Sequence, residues 1–244
     1  MPADLTRIWS LTPDTKRKIR WIATKIRYAL RSLVWYRTLF VLFGASNTYK
    51  KRFGSRPRLF RAKTFNEKIY VRMALDRRPL LTQISGKWET RTFVRDRLGS
   101  EALLPPLVAA LRHPDDCNGL KLPQRWIMKT SHASGYLRIV TKANPIDEAE
   151  MRRLVADWIR VDFDADLLEW AYRDLQRVVV IEELMEHNGA IPRDIKFFCF
   201  NGKAIFIQVD STRFSGHRQS LFDLNWNLLN VQVMDYQPHL DRVA

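Results

Sequence analysis

Four short groups of residues in this sequence have the types and spacing for chemistry. The first is Lys129-Thr-Ser-His-Ala-Ser-Gly135, a lysine followed by small and hydroxyl residues and a glycine. Such a turn can offer backbone N–H groups to phosphate oxygens, with the lysine as a point charge. It lacks the two glycines and adjacent Lys-Ser/Thr of a P-loop, and taken alone it reads first as an ordinary hairpin turn. The second is Glu182-Glu183 inside Val178-Val-Val-Ile-Glu-Glu-Leu-Met185. Successive strand residues face opposite sides, so one glutamate points inward if both faces are covered. A buried carboxylate needs a partner, a lysine or a ligand hydroxyl; if the strand end reaches solvent, both acids are simply wet. The third is Asp194-Ile-Lys196, whose alternation puts the aspartate and lysine on one face, to share a ligand or to form a surface ion pair of little weight. The fourth is Lys87 and Arg91, four apart on a helical stretch, a basic patch or a solvated face.

Other chemistries are poorly represented. His132, His187 and His217 have no metal spacing with one another or with cysteine, and there is no Gly-x-Ser-x-Gly elbow and no His-Glu-x-x-His pair. The two cysteines, Cys117 and Cys199, make neither a zinc site nor a disulfide framework and fit a reducing cytoplasm.

The elements that must position these groups are readable in outline. Thr64-Phe-Asn-Glu67 matches a capping box and predicts a helix to about Ala74. A second helix is expected from about Gly86 to Leu98, stopped by Gly99. Residues 100–124, with Pro105, Pro106, Pro114 and Pro123, read as loop with at most a short strand. Arg125–Lys129 and Tyr136–Lys142 read as strands around the small-residue turn. Asp147 and Glu150 predict a capped helix to about Trp158. Val178–Met185 reads as a buried strand. Asn201-Gly202, between the apolar runs Asp194–Phe200 and Lys203–Val209, is a strong hairpin signal. The sum is an α+β fold rich in antiparallel pairing.

Charge divides the chain. Of its 41 Lys and Arg, 16 lie in residues 1–63 against only two acids there, so this quarter carries +14 of the net +15. In residues 16–34, Ile19, Ile22, Ile26, Leu30 and Leu33 recur at helical spacing, with lysines and arginines on the other side. A basic amphipathic helix of this kind, followed by the apolar run at 33–45, can lie on an anionic membrane surface or pack its stripe on the body. No nucleic-acid fold signature accompanies the charge, which argues against a nucleic-acid partner. Residues 50–63 read as a basic linker broken by Gly54 and Pro57. No uninterrupted apolar stretch reaches the length of a transmembrane helix, and charges interrupt the N-terminal apolar stretches as they would not in a signal peptide.

Taken in order, Lys87, the Lys129 loop, the Glu182-Glu183 strand and Asp194-x-Lys196 resemble the ATP-grasp superfamily, and more narrowly its TupA-like branch, associated with teichuronopeptide and other cell-surface polysaccharide synthesis. The stretches that carry the resemblance include TFNEKIYVRMALDRRPL at 64–80, GKWETRTFVRDRLG at 86–99, LPQRWIMKTSHASG at 122–135, VVVIEELM at 178–185 and DIKFFCFNGK at 194–203. IQVDSTRFSGHRQSLFDLNWN at 207–227 completes the set.

The resemblance implies an ATP-grasp-like chain of four parts: a basic segment at 1–63, a helical and loop region at 64–125, a nucleotide-lid subdomain at 126–185 and an incomplete core subdomain at 186–244. It implies ATP and Mg²⁺ as cofactors, with the nucleotide held between two α+β subdomains. Lys87 and Lys129 would contact ATP, and Ser131, His132, Ser134 and Gly135 would belong to a flexible loop over the phosphates. Glu182, Glu183 and Leu184 would lie by the adenine and ribose, and Lys196, beside Asp194, would reach a phosphate in the catalytic step. The implied chemistry is activation of a carboxylate by ATP and attack of an amine, with an acidic polysaccharide or other carboxylate as substrate and an amine as co-substrate. The implied place is the cytoplasm, peripheral on the inner membrane face.

Two departures stand out. The family usually has Asp before the first lysine, where this chain has Gly86. The family also continues into an Arg-Val-Asp strand and a Gly-Glu-Leu-Thr segment that carry its acidic Mg²⁺ ligands. This sequence ends at Ala244 with neither, so no metal ligand is assigned. A C-terminally truncated copy with weak or absent catalysis is expected. A non-catalytic membrane-associated nucleotide-binding or scaffold protein is the alternative, and a glycosyltransferase-pathway protein has only the pathway context behind it.

Overall fold

The computed structural model describes residues 46–161, 163, 169–187, 189–211 and 218–231. The expected amphipathic helix at 16–34, the apolar run at 33–45 and His217 lie outside them. The chain divides into two compact units, residues 1–183 and 184–244.

Among the described residues the first unit begins with four helices: α1 (Ser46–Phe53), α2 (Phe65–Leu75), α3 (Pro79–Gln83) and α4 (Lys87–Leu98). Thr64 caps α2 as its sequence requires: the Glu67 N–H donates to Thr64 Oγ1 at 3.2 Å and the Thr64 N–H donates back to Glu67 Oε2 at 3.0 Å. Gly99, at φ 66°, ends α4 in the left-handed conformation that glycine adopts without strain. The basic linker differs from its expectation. Residues up to Phe53 are helical, and Gly54 terminates that helix rather than preventing it, its N–H donating to Lys50 O at 2.8 Å. Beyond it, Arg58 Nε donates to Glu67 Oε1 at 2.7 Å and the Lys63 N–H donates to Oε2 at 2.9 Å. Glu67 is buried, and these donors hold its carboxyl well below the usual carboxylate range.

A four-stranded sheet follows, in the order β1 (Leu107–Leu111), β4 (Val179–Glu183), β2 (Trp126–Thr130), β3 (Leu137–Val140), with every neighbouring pair antiparallel. The helix α5 (Glu148–Trp158) connects β3 to the later part of the unit; Asp147 caps it, accepting from the Glu150 N–H at 2.7 Å. Met151, Val155 and Trp158, spaced at one and two turns, pack on Trp126, Met128, Val179 and Ile181. Burying side chains of this size stabilises by about 1.5–3 kcal/mol each. Val178 to Ile181 are fully buried, as a central strand covered on both faces must be.

Among its described residues the second unit forms a three-stranded antiparallel sheet, β5 (Asp194–Phe200), β6 (Lys203–Ser211) and β7 (Arg218–Phe222). Asn201 (φ 50°) and Gly202 (φ 79°) close the β5–β6 hairpin, both in the positive-φ conformation of a type I′ turn. Ile207, Val209 and Phe222 form its small core. Among the described residues no helix is long and apolar enough to cross a membrane.

Candidate functional site

Strand alternation builds the site in the first unit. On β2, Trp126, Met128 and Thr130 are buried on one face, with Trp126 and Met128 in the core that α5 covers. Ile127 and Lys129 therefore face the other side. On β4, Val179 and Ile181 face the same core, so Val180 and Glu182 share the face of Lys129. The antiparallel register sets Lys129 opposite Val180 and Ile127 opposite Glu182, which makes Lys129 and Glu182 diagonal neighbours within reach of a long side chain. They form an ion pair. Glu183, one residue on, is exposed.

The helix α4 brings its first two turns to this face. Arg91, buried, donates from Nη1 to Glu182 Oε1 at 2.9 Å and from Nη2 to Pro105 O at 2.9 Å and Glu101 Oε2 at 3.2 Å. One turn earlier, Lys87 Nζ donates to Thr130 O at 2.8 Å and Ala133 O at 3.1 Å. The pair is thus not a solvated face. Among the described residues Lys87 makes no ion pair. Burial, and next the nearby Lys129 charge, pull its pKa below the ordinary lysine value; Glu182 pulls it up more weakly.

The Lys129 loop is anchored at its start and open at its end. Ser131, His132 and Ala133 are buried, while Ser134 and Gly135 are exposed. Ser131 Oγ accepts from the Trp88 N–H at 2.9 Å and donates to Glu89 Oε2 at 3.0 Å. His132 Nε2 donates to Trp158 O at 3.1 Å, which leaves Nδ1 bare and without a partner among the described residues. Burial keeps this imidazole below its ordinary pKa. The backbone N–H groups of Ser134 and Gly135 have no acceptor among the described residues. Gly135 sits at φ 85°, a conformation an L side chain rarely adopts.

Glu89 is the residue that sequence reasoning missed. Its Oε1 accepts from the Gln176 N–H at 3.0 Å, while its Oε2 holds Ser131. A Cβ at Gly86 would lie 2.0 Å from Glu89 Oε2 and 2.8 Å from Leu175 Cδ2. Position 86 is therefore a glycine because the Glu89 carboxylate fills the space a side chain would need. The available signal was an acid in the first turn of a helix whose N-cap has no side chain.

The second unit contributes a separate cluster. Asp194 lies opposite Asp210 and Lys196 opposite Gln208, so all four share one face. Lys196 is ion-paired with both aspartates, at 3.2 Å to Asp194 Oδ2 and more closely to Asp210. Gln208 Nε2 donates to Asp210 Oδ1 at 2.9 Å. Burial lowers the Lys196 pKa, but the hydrogen bonds to Asp210 and Asp194 outweigh it and leave the ammonium above its ordinary value. Asp210 is 2% exposed, so this is more than a surface ion pair. Leu184 begins the second unit and is half-buried.

Among the described residues, ones able to hold a phosphate are present: a half-buried lysine without a carboxylate partner, a second lysine near it and two N–H groups without acceptors on an adjoining loop. Residues able to hold Mg²⁺ are not, among those described. No group of three or more His, Cys, Asp or Glu could ligate a metal, and the ammonium of Lys196 already lies against both Asp194 and Asp210.

Comparison with curated proteins and with solved structures gave no match. A family model did match: that of the TupA-like ATPgrasp family, over residues 67–242. The match spans α2, the sheet with its lysines, and the β5–β7 sheet. This chain belongs to the TupA-like ATP-grasp family.

Proposed function

We propose that this chain binds ATP at Lys87 and Lys129 and is a carboxylate–amine ligase-like protein of cell-surface polysaccharide biosynthesis. The observation that carries the reading is Lys87. A desolvated cation with no carboxylate partner is unfavourable in the free protein and becomes favourable when an anion arrives. It also sits at the N-terminus of α4, where the aligned peptide dipoles favour negative charge. Lys129 supplies a second charge once Glu182 shares itself with Arg91. The Ser134 and Gly135 N–H groups, without an acceptor among the described residues, are assigned as phosphate donors on the same loop, with Ser131 and His132 fixing its start. Glu182, Glu183 and Leu184 are assigned to the adenine and ribose.

The chemistry supplied by bound ATP is phosphoryl activation of a carboxylate ahead of attack by an amine. In the second unit, Lys196 is assigned to phosphate contact and Asp194 to holding its ammonium in place. The carboxylate is an acidic polysaccharide or a related acid. A second reading, nucleotide binding without turnover, is favoured by the Lys196–Asp194–Asp210 cluster, whose carboxylates are already neutralised and so poorly disposed to a divalent cation.

We further assign the protein to the cytoplasmic membrane face. The support is the charge of residues 1–63 and the exposed Phe60, 95% accessible between Arg58 and Arg61. Basic residues with an aromatic among them suit an anionic leaflet.

Calorimetric titration with ATP, with and without Mg²⁺, tests the assignment against a Lys129→Ala variant. Saturable binding in the parent, weakened about tenfold or more in the variant, is expected. Equal binding in the two, or none in the parent, refutes the lysine site. Heat of binding without product from carboxylate and amine substrates would decide for the non-catalytic reading.

A further inference from the structure

Away from the lysines, the first unit holds a cavity of about 300 Å³ between α2, α3 and the turn Trp170–Tyr172. Ile69 and Met73, one turn apart on α2, wall it together with Leu81 and Trp170. Among the described residues this lining contains one carboxyl group, that of Glu169. Its Oε2 is buried and has no hydrogen-bond partner among the described residues. Burial raises the Glu169 pKa, and burial, with the Glu169 charge next, raises that of Tyr172 on the same wall.

An unpartnered carboxylate oxygen in apolar surroundings is the kind of exception that native structures seldom carry without use. The arginines around the cavity do not supply its counter-charge. Arg72, also in the lining, pairs with Asp76 at 3.4 Å. Arg77 lies over the Trp170 ring at 4.8 Å, with its Nη groups donating to Met73 O and Ala74 O. Mostly hydrophobic and aromatic walls with a few polar groups, here Arg72, Ser85, Glu169 and Tyr172, are the composition of a small-ligand pocket, and the volume falls at the lower end of the usual range.

We propose that this cavity binds a small ligand with an apolar body and a single ammonium group, the ammonium meeting the carboxylate of Glu169. The ligand class is an aliphatic or arylalkyl primary amine. The site shares no residue with the proposed ATP site, so the two assignments stand or fall separately.

The test uses the full chain and the probe pair benzylamine and benzyl alcohol, equal in shape and different in charge, followed by calorimetry or ligand-observed NMR. Benzylamine is expected to bind at least about tenfold more tightly than benzyl alcohol. Glu169→Gln is expected to remove that difference while benzyl alcohol binding is unchanged. Leu81→Phe, which narrows the cavity, is expected to weaken both probes. An unchanged circular dichroism spectrum would show that each variant is folded. Equal binding of the two probes to the parent would overturn the proposal, leaving an apolar cavity with a protonated, neutral Glu169. An unaltered benzylamine affinity in Glu169→Gln, or no binding of either probe, would overturn it as well.

Discussion

The ion pair between Arg91 and Glu182 is buried deeply enough to decide the stability of the first unit, and Glu182→Gln tests it. The substitution keeps the shape and one acceptor but removes the charge. Both side chains are almost fully enclosed, at 6% and 5% exposure, and meet at 2.9 Å. Removing one member of such a pair leaves an uncompensated buried charge and typically costs about 3–5 kcal/mol. The lower end applies here for three reasons. The glutamine oxygen still accepts from Arg91; Arg91 keeps Glu101 and the Pro105 carbonyl; and Lys129, at 23% exposure, can turn to solvent. A loss of about 3 kcal/mol corresponds to a fall in melting temperature of roughly 6–12 °C for a chain of this size.

Thermal and urea unfolding followed by tryptophan fluorescence would measure it, with Glu183→Gln as the control. Glu183 is the exposed neighbour on the same strand, and its substitution should stay within about 0.5 kcal/mol of the parent. The double variant Arg91→Met with Glu182→Leu should recover most of the loss, because a buried pair replaced on both sides is close to neutral. A loss in Glu182→Gln no larger than in Glu183→Gln would refute the burial of the pair. Failure of the double variant to recover would show that the cost lies in packing rather than in the unpaired charge.

Gly86→Ala forces the Glu89 carboxylate away from its place 2.0 Å from the new Cβ. Losing its bonds to Ser131 and the Gln176 N–H should cost about 1–3 kcal/mol in urea unfolding, whereas an effect below about 0.5 kcal/mol would mean that Glu89 re-seats freely. His132, kept below its ordinary pKa by burial, takes up its proton in the unfolded chain near pH 6.5 but not in the folded one. Stability should therefore fall as pH drops below about 6.5, and His132→Gln should flatten that slope between pH 7.5 and 5.5. Glu169, whose pKa is raised, works in the opposite sense in both proteins and cancels in the comparison. Equal slopes would refute the buried neutral imidazole.

Whatever was encoded locally in the sequence is legible in the structure. The capping box at Thr64 and Glu67, the stop at Gly99, the cap at Asp147 and the Asn201-Gly202 turn each need only their own few residues, and each predicted the right element. The helix α1 was not legible. Its residues, SNTYKKRF, have no acid in the first turn and lysines in succession, so its order comes from elsewhere, from Tyr49 packing on Tyr70 with ring centroids 5.4 Å apart. The partner of Asp194 was not legible either. Counting back from a two-residue turn places Asp194 opposite Val209 and sends Asp210 to the other face. A bulge between Phe198 and Cys199 shifts the register by one and sets Asp194 opposite Asp210. Two carboxylates directly opposed would repel, and Lys196 lies against both. The sequence named Asp194 and Lys196 and had no means of naming the third member.

Lys87 shows why a site can be the place where local rules fail. A cation at the first position of a helix opposes the peptide dipoles, and burial compounds the penalty. Among the described residues the chain offers it two carbonyl oxygens, from Thr130 and Ala133, and no carboxylate. The nearest acid in sequence, Glu89, is turned instead to Ser131 and Gln176. Were Glu89 paired with Lys87, the lysine would be satisfied and the Lys129 loop would lose one of its tethers. Glu89 tethers the loop instead, and the positive charge at the head of α4 keeps no carboxylate of its own among the described residues. An arrangement that is unfavourable for the isolated fold in this one respect is what the proposed phosphate site requires, and the Lys129→Ala titration with ATP decides whether this face of the sheet carries it.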